Sequence, residues 1–262
     1  MSVQFAGTTA LVTGASSGLG AEFARVLTAR GADLVLVARR LERLEAMARE
    51  LEARHGIMAR VLGTDLGVPA SWGQVRAFTD AEGVRVSTLV NNAGFGTYGV
   101  LAEADPARAD EEVRLNVGAL TALTRAYLPD LMSEGTGALV NVASTASFQP
   151  VPAMAVYGAT KAYVRSFTAA VAWETRNTGL RVTALCPGAT RTEFFDVVGS
   201  EHAKVGRYQS PEQVVRTAMR ALDARHTPPV VVSGAANRVV AVLGRLAPAR
   251  AGLPVTAALM GR

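Results

Sequence analysis

The sequence predicts one doubly wound α/β domain built on a seven-stranded parallel sheet. Seven short apolar runs alternate with longer stretches of helical period. Parallel neighbouring strands need crossover connections of about a dozen residues or more, and the stretches between the runs provide them. A length of 262 residues fits a single domain of this class.

The predicted strands and helices follow one another in simple alternation. The strands are Thr9–Thr13, Leu34–Ala38, Ala59–Leu62, Thr88–Asn91, Ala138–Val142, Arg181–Leu185 and Val230–Val232. The helices are Gly20–Arg30, Leu41–Arg54, Pro106–Leu131, Tyr157–Asn177 and Pro211–Leu222. Because ligands of such sheets bind beyond the carboxyl ends of the strands, functional residues are expected in the loops that follow them.

Composition indicates a folded chain in a reducing cytoplasm. Hydrophobic residues make up 49% and charged residues 19%, so a large core is expected and disorder is not. Cys186 is the single cysteine and cannot form an internal disulfide, and the N-terminus has no basic or apolar signal region. The sequence contains no run of about 18 uncharged apolar residues, so no transmembrane span is predicted.

The net charge of +5 is confined to the C-terminal end. Five arginines and no acidic residue lie between Ala224 and Arg262, whereas the 22 basic and 22 acidic residues elsewhere cancel. This distribution, without a nucleic-acid-binding motif, argues against a nucleic-acid partner. His55, His202 and His226 have no metal-ligand spacing, so no metal site is predicted.

A glycine-rich turn, TGASSGLG over Thr13–Gly20, follows the first predicted strand. Its spacing differs from the general dinucleotide fingerprint, but it meets the same physical requirement. Glycines permit a tight turn and a close backbone approach, and the following helix presents free N–H groups to a pyrophosphate. The turn therefore indicates a dinucleotide site, although such a turn without its context is often only a turn.

Further motifs occur after the later strands and on two of the predicted helices. They are Asp65-Leu66, Asn91-Asn92-Ala93-Gly94, Asn116, Ser144, Tyr157 with Lys161 four residues later, and Pro187-Gly188-Ala189-Thr190-Arg191-Thr192. In this order, and with the glycine spacing above, residues 5–225 resemble the short-chain dehydrogenase/reductase family. The resemblance implies a Rossmann fold, a nicotinamide cofactor and the interconversion of a carbonyl and an alcohol.

The resemblance also implies the cofactor-binding residues. Asp65 would accept a hydrogen bond from the adenine amine, Leu66 would offer its backbone, and Thr190 and Thr192 would bind the nicotinamide carboxamide. Taken alone, Asp65 is typical of a turn and Asn91-Asn92 of a loop cap. The expected set is Gly14, Ser16, Ser17, Gly18, Leu19, Gly20, Arg39, Asp65, Leu66, Asn92, Ala93, Gly94, Tyr157, Lys161, Pro187, Gly188, Thr190 and Thr192.

The end of the second predicted strand selects the dinucleotide. An acidic residue there usually binds a ribose 2'-hydroxyl, whereas a 2'-phosphate requires positive charge. The chain has Arg39 and Arg40 and no acid before Glu42, which favours NADP(H). Arg39 is the better placed for phosphate, while Arg40 fits the start of a solvated helix.

Reduction of a carbonyl requires a hydrogen-bond donor to polarise it and an acid to supply a proton. Tyr157 is the expected acid, and the ammonium of Lys161, on the same helical face, is expected to lower its pKa from about 10. Ser144 matches the family's carbonyl-orienting serine. By resemblance, Lys161 also holds the nicotinamide ribose, and Asn116 anchors a water on the proton path.

The substrate is expected to be a hydrophobic ketone, aldehyde or acyl chain. Five apolar side chains fall in the loops around the catalytic tyrosine or just after Thr192, and each equally suits packing of a lid. They are Phe95, Phe148, Met154, Phe194 and Phe195. A nucleotide-sensing or scaffolding protein on the same fold remains the alternative, although such proteins commonly lose the tyrosine or the lysine.

Residues 1–228 are predicted to form the dinucleotide-binding and catalytic part, and residues 229–262 its last strand and a basic amphipathic extension. The helical period over Asn237–Ala247 gathers Val239, Val242, Leu243 and Leu246 on one face, with Arg238 and Arg245 on another, and Pro248 should end that helix. The apolar face would cover the substrate lid or the seam of a homodimer or homotetramer. The alternative is contact with an anionic membrane or an acidic carrier protein.

Overall fold

The computed structural model describes residues 3–200, 208–246 and 248–261 and confirms the doubly wound α/β fold. Seven parallel strands form one sheet in the order β3-β2-β1-β4-β5-β6-β7. Their bounds are β1 Thr9–Thr13, β2 Asp33–Ala38, β3 Ala59–Gly63, β4 Val86–Asn91, β5 Ala138–Val142, β6 Arg181–Cys186 and β7 Val230–Val232. The strand order reverses between β1 and β4, and such a crevice binds ligands in this class of sheet.

Helices cover both faces of the sheet. They are α1 Gly18–Thr28, α2 Leu41–His55, α3 Ala70–Ala81, α4 Pro106–Val113, α5 Leu120–Glu134, α6 Ala155–Glu174, α7 Phe194–Val198, α8 Pro211–Asp223, α9 Ala235–Leu246 and α10 Ala249–Leu259. Alternate residues of β1 show why the strand is apolar throughout. Ala10 and Val12 pack with Phe23 on one face, whereas Leu11 packs with Leu123 on the other.

Two helical features differ from the sequence predictions. α3 was not predicted, because Gly73 and scattered polar residues weaken its periodicity. The helix predicted over Pro106–Leu131 is divided by a π-helical segment, Arg114–Ala119, that carries Asn116. The tail helix α9 ends at Leu246, before Pro248 as predicted, and the chain then forms a further helix, α10.

Ala247, the last residue of the helix predicted in the tail, and His202 lie outside the described residues. Within residues 3–200, 208–246 and 248–261, no helix combines the length and the apolar character that a bilayer span requires.

Candidate active site

A cavity of about 520 Å³ lies beyond the carboxyl ends of the central strands. The glycine-rich turn after β1, the loop after β4, Ser144 after β5 and the loop after β6 all line it. The sheet therefore brings the motif segments to one place, as a switch point between β1 and β4 requires, although Gly20 and Asn116 themselves do not line the cavity. Tyr157 and Lys161 reach the same cavity from α6.

Gly14 begins the turn at the cofactor end with a φ of 63°, which favours glycine. A Cβ at this position would lie 2.8 Å from Asn92 Nδ2 and 2.9 Å from Ala93 Cα. The loop after β4 thus packs directly against the turn. The backbone of Ala93 and the side-chain amide of Asn92 leave no room for a side chain at Gly14 in this wall of the cavity.

Thr13 and Asn92 join these two loops by hydrogen bonds. The Thr13 hydroxyl oxygen accepts from the backbone N–H of both Asn92 and Ala93, at 3.0 Å each. The Asn92 side-chain amide donates to the carbonyls of Thr13, at 2.9 Å, and Gly14, at 3.2 Å. These bonds hold the loops rigidly, as a cradle for a pyrophosphate requires.

Arg40 occupies a position that sequence reasoning missed. It was expected to start a solvated helix, but its guanidinium donates to the hydroxyls of Ser16 and Ser17 at 3.0 and 2.9 Å. It also forms a 2.7 Å ion pair with Glu193, which follows the nicotinamide-side motif. Arg39 lines the same end of the cavity, is exposed, and lies 3.8 Å from a Glu111 oxygen.

Asp65 and Leu66 line the far side of the cofactor end. The Asp65 carboxylate accepts from the N–H of Gly67 at 2.9 Å, so Asp65 does form the turn that its sequence context favours. The Leu66 carbonyl accepts from the Trp72 indole at 2.8 Å. The turn role of Asp65 is thus compatible with its position on the cavity wall.

Tyr157 and Ser144 meet at the junction of the two ends of the cavity. Ser144 follows β5 and caps the short 3₁₀ turn Thr145–Phe148, accepting from the Ala146 N–H at 3.1 Å. A hydrogen bond with Ser144 lowers the pKa of Tyr157, but burial outweighs it and raises that pKa to about 12. Burial therefore keeps the phenol protonated through the physiological range.

Lys161 lies one helical turn after Tyr157 and is 5% exposed. Its ammonium donates to the Val142 carbonyl at 2.9 Å and lies 5.8 Å from the centre of the Tyr157 ring. Burial lowers the pKa of Lys161 to about 8. The expectation that this ammonium brings the pKa of Tyr157 below 10 is wrong for this structure, because the cost of burying a phenolate dominates.

Asn116 is buried in the π-helical segment and holds the loop after β4 in place. Its side-chain amide donates to the Phe95 carbonyl at 2.8 Å and to the Thr160 hydroxyl at 3.1 Å. Its carbonyl oxygen accepts from the Phe95 N–H at 3.1 Å. Asn116 therefore connects the cofactor loop to the helix that carries Tyr157 and Lys161.

The nicotinamide-side motif after β6 forms the opposite wall. Pro187, Gly188, Thr190 and Thr192 all line the cavity. The Thr190 hydroxyl donates to the Gly188 carbonyl at 3.0 Å, and the Thr192 hydroxyl accepts from the Phe194 N–H at 3.3 Å. Thr192 also packs against Gly18, so this loop closes onto the glycine-rich turn.

The substrate end is apolar, and four of the five predicted side chains line it. They are Phe95, Met154, Phe194 and Phe195. Phe194 packs against the Tyr157 ring at 5.4 Å between centroids. Phe148 does not line the cavity: its ring packs with Leu120, Val164 and Cys186 behind the site.

Residues of the C-terminal tail close the substrate end of the cavity. The sequence did not predict which residues of the tail would line it. Val240 of α9, Thr256 of α10 and Met260 line the cavity. The Tyr98 hydroxyl donates to the Met260 carbonyl at 2.5 Å, and Asn237 packs against Gly188. Helical spacing alone does not say which face of such a helix meets the cavity.

Comparison with protein-family models shows which family the chain belongs to. The model of the short chain dehydrogenase family matches residues 8–203. The chain belongs to this family. Family members interconvert carbonyls and alcohols with a nicotinamide cofactor, so the chain is an oxidoreductase of that type.

Individual relatives agree with this assignment. The chain is 41% identical to the sulfoacetaldehyde reductase of Chromohalobacter salexigens over 188 residues, 70% of this chain and 72% of that protein. It superposes on a short-chain dehydrogenase from Sphingobium yanoikuyae in complex with NADPH with a TM-score of 0.81, at 36% identity and 95% coverage of both chains. A bulky-bulky ketone specific alcohol dehydrogenase from Comamonas testosteroni superposes with a TM-score of 0.75, at 29% identity, covering 97% of this chain and 92% of that one.

Proposed function

We propose that this short-chain dehydrogenase reduces an apolar carbonyl compound with NADPH. The observation that carries the proposal is the composition of the two ends of the cavity. Two arginines line the cofactor end, whereas aromatic and aliphatic side chains line the substrate end beside Tyr157. A 2'-phosphate suits the first end and an apolar chain the second.

The cofactor site fits a phosphorylated dinucleotide. Gly14 leaves space where a Cβ would overlap the loop after β4, and the N-terminus of α1 points free N–H groups at the same space. Arg39 and Arg40 would hold the 2'-phosphate, with Arg40 already oriented by Ser16 and Ser17. When bound, NADPH supplies the hydride that reaches the carbonyl carbon.

The chain's own residues manage the oxygen of the substrate. Ser144 donates a hydrogen bond to the carbonyl oxygen, and Tyr157 gives that oxygen a proton as negative charge develops. Asn116 keeps the loop after β4 and α6 in register, so that Tyr157 and Lys161 stay aligned with the cofactor site.

The protonation of Tyr157 equips the site for the proton transfer that carbonyl reduction requires. A general acid must carry its proton at the working pH, and burial keeps the Tyr157 phenol protonated by raising its pKa to about 12. Oxidation of an alcohol would instead require the phenolate, which the same burial disfavours.

An apolar ketone suits the substrate end better than a small anion. Among the described residues that line this end, Lys161 is the cationic side chain, and it is bound to the Val142 carbonyl. A sulfonate such as that of sulfoacetaldehyde would find no other described cation there. The relative specific for bulky ketones is therefore the better guide to substrate class.

A substrate panel tests the proposal. Cyclic and aryl ketones, medium-chain aldehydes, a 3-oxoacyl thioester and sulfoacetaldehyde are each mixed with NADPH or NADH, and absorbance of the reduced cofactor is followed. We expect turnover of apolar carbonyls with NADPH. Turnover of sulfoacetaldehyde alone would contradict the substrate class, and NADPH binding without turnover of any carbonyl would support the sensing or scaffolding alternative.

The tail favours a second property, association with an anionic membrane surface. The apolar face of α9 points outward: Val239, Leu243 and Leu246 are 59%, 61% and 73% exposed, whereas Ala241 on the inner face is buried. Arg238 and Arg245 flank this face, both exposed. An outward apolar stripe beside basic residues is typical of a helix that lies in a lipid interface.

Charge also argues against a second copy of the chain on this face. A twofold contact would bring each arginine-flanked stripe against itself, so that like charges would meet. The apolar stripe lies on the same short helix as Val240, which lines the substrate end, so a lipid-dissolved carbonyl would lie near the cavity.

Vesicle sedimentation tests this association. Full-length protein is mixed with phosphatidylglycerol or phosphatidylcholine vesicles at low and high salt, alongside Leu243→Asp and the matched inner-face variant Ala241→Ser. We expect salt-sensitive binding to the anionic vesicles that Leu243→Asp removes. If Leu243→Asp instead changes the oligomeric mass, or if only an acidic carrier protein binds, the membrane proposal is wrong.

We further propose a cytoplasmic location and a homodimer or homotetramer. The single buried cysteine suits a reducing compartment. Trp173 on α6 is 69% exposed, and a large aromatic side chain in that position suits a subunit contact. Light scattering of the full-length protein measures the oligomeric mass.

A further inference from the structure

Glu112 is a fully buried carboxyl group that the mechanism above does not use. It lies on α4, one turn before Asn116, with 0% exposure, and is the buried residue of that helix. Its Oε2 accepts from the Thr97 hydroxyl at 2.6 Å. Its Oε1 has no hydrogen-bond donor among the residues that the structure describes. A buried carboxyl costs folding free energy, so its presence requires an explanation.

The surroundings of Glu112 point to Lys161. Gly94 lies between Asn116, which is one helical turn after Glu112, and Lys161. A Cβ at Gly94 would lie 2.7 Å from Asn116 Oδ1 and 3.4 Å from Lys161 Nζ. Thr97, the partner of Glu112, follows in the same loop. α4 packs on α6, which carries Lys161. The loop after β4 therefore contacts both Glu112 and the ammonium of Lys161, and the charges of these two groups act on each other.

Few charged groups face this pair. Arg108 on α4 acts on Glu112, but its guanidinium is also held by Glu111 at 2.7 Å. Tyr157 and Cys186 lie near Lys161, and burial raises their pKa values to about 12 and about 11, so both are neutral at physiological pH. Burial also raises the pKa of Glu112, but the Thr97 hydrogen bond and the charge of Lys161 oppose that effect. Among the described residues, Glu112 is therefore the acid whose ionised form places a negative charge near Lys161.

We propose that Glu112 is the internal counter-charge of Lys161, a positioning residue that keeps the lysine ammonium charged inside the buried site. Burial disfavours the charged form of a lysine, because an ammonium loses its hydration. The hydrogen bond to the Val142 carbonyl compensates in part. The Glu112 charge supplies the remaining attraction, acting against the burial that lowers the pKa of Lys161.

The chain allows a direct test, because Lys161 and Lys204 are its two lysines. Lysine labelled with ¹³C at Cε gives two side-chain NMR signals, and Lys204→Arg assigns them. The Lys161 pKa is then measured in full-length wild type, in Glu112→Gln, and in the control Asp110→Asn, which removes an exposed charge from the same helix.

We expect Glu112→Gln to lower the pKa of Lys161 by about 1 or more, as loss of a nearby opposite charge does. Asp110→Asn should leave it unchanged, because water and salt screen an exposed carboxylate. Thr97→Val removes the hydrogen bond and keeps the carboxyl, so it should lower the pKa of Lys161 less than Glu112→Gln does. An unchanged Lys161 pKa in folded Glu112→Gln would overturn the proposal.

Wild-type protein gives a second test that does not depend on the folding of the variant. As Glu112 takes up a proton on acidification, the Lys161 signal should shift through a second inflection, because the two groups titrate together. Absence of that inflection above the acid limit of the fold would also overturn the proposal.

The inference rests on the catalytic role proposed for Lys161, but the NMR titration is read whether or not a carbonyl is reduced. Where turnover is found, the alkaline limb of the pH profile of kcat should move to lower pH in Glu112→Gln. The same limb should stay in place in Asp110→Asn. A purely structural Glu112 would change the melting temperature and leave both the limb and the Lys161 pKa in place.

Discussion

The cofactor end of the cavity is formed largely by backbone, whereas the substrate end is formed by side chains from segments far apart in the sequence. At the cofactor end, Thr13, Gly14 and Asn92 lock two loops together on the rigid sheet. At the substrate end, Phe194 of α7, Val240 of α9 and Met260 after α10 meet only in the folded chain. The contrast implies that backbone geometry determines what binds at the cofactor end. At the substrate end, the shape and polarity of the side chains determine what binds.

This difference explains why relatives with different substrates share one fold. A cradle of backbone N–H groups tolerates few changes, because an added atom meets the main chain rather than a movable side chain. A wall of side chains changes shape with each substitution. Cofactor chemistry is therefore common to the family, while substrate range varies, and the experiments below break one end at a time.

The largest effect is expected at the junction of the two ends. Tyr157→Phe should lower turnover by about 10² to 10⁴, the amount that a general acid usually supplies, and leave NADPH affinity nearly unchanged. Reduced-cofactor absorbance measures the rate, and fluorescence titration measures the affinity. Tyr163→Phe, on the exposed outer side of the same helix, is the control. Near wild-type turnover in Tyr157→Phe would remove Tyr157 from the mechanism.

The next effect separates the two dinucleotides at the cofactor end. Arg39→Asp or Arg40→Ala should weaken NADPH binding about 10- to 100-fold, because each removes a charge-assisted hydrogen bond to phosphate, and should affect NADH much less. Arg43→Ala is the matched control: Arg43 pairs with the same Glu193 but does not line the cavity. Equal use of NADPH and NADH by the wild type would refute the phosphate assignment.

Adding one methyl group to a glycine compares the two ends directly. In Gly14→Ala, the alanine must adopt a φ of 63°, which costs about 1–2 kcal/mol, and its Cβ clashes with the backbone of Ala93. A cost of this size should lower NADPH affinity about tenfold. Gly96→Ala places its Cβ 2.9 Å from Tyr157 Cδ2 and should instead lower kcat with NADPH affinity retained. Gly73→Ala, in open space on α3, should only stabilise the helix. Equal loss of NADPH affinity in the first two variants would show that the ends are not independent.

The smallest effect concerns Glu193, which joins the ends by pairing with Arg40 just before α7. Hydrogen bonds from Arg43 and Arg40 lower the pKa of Glu193 to about 2. Because this folded-state pKa lies below the ordinary value, the stabilisation is present above that value and is lost as pH falls towards 2. Wild type should melt slightly above Glu193→Gln at pH 6, with the difference vanishing near pH 2; the pair is half-exposed, so the difference is small. A difference that persists at low pH would exclude the ion pairs as its cause.

The sequence by itself determined the sheet, the order of its strands along the chain and most of the residues that line the cofactor end. Those features depend on local patterns: apolar runs with crossover spacing, a glycine turn between strand and helix, and a tyrosine and lysine one turn apart. Each pattern constrains its own backbone, so it can be recognised without knowledge of the rest of the chain.

Tertiary structure alone decided the protonation of Tyr157, the position of Arg40, the isolation of Phe148 from the cavity and the outward face of α9. Burial sets a pKa through every atom that displaces water, and no single neighbour in sequence carries that information. A long guanidinium side chain also has more than one partner within reach, and the fold selects among them. Glu112 illustrates the limit, because a charged residue on a polar helix becomes a buried neighbour of Lys161 only when α4 packs against α6.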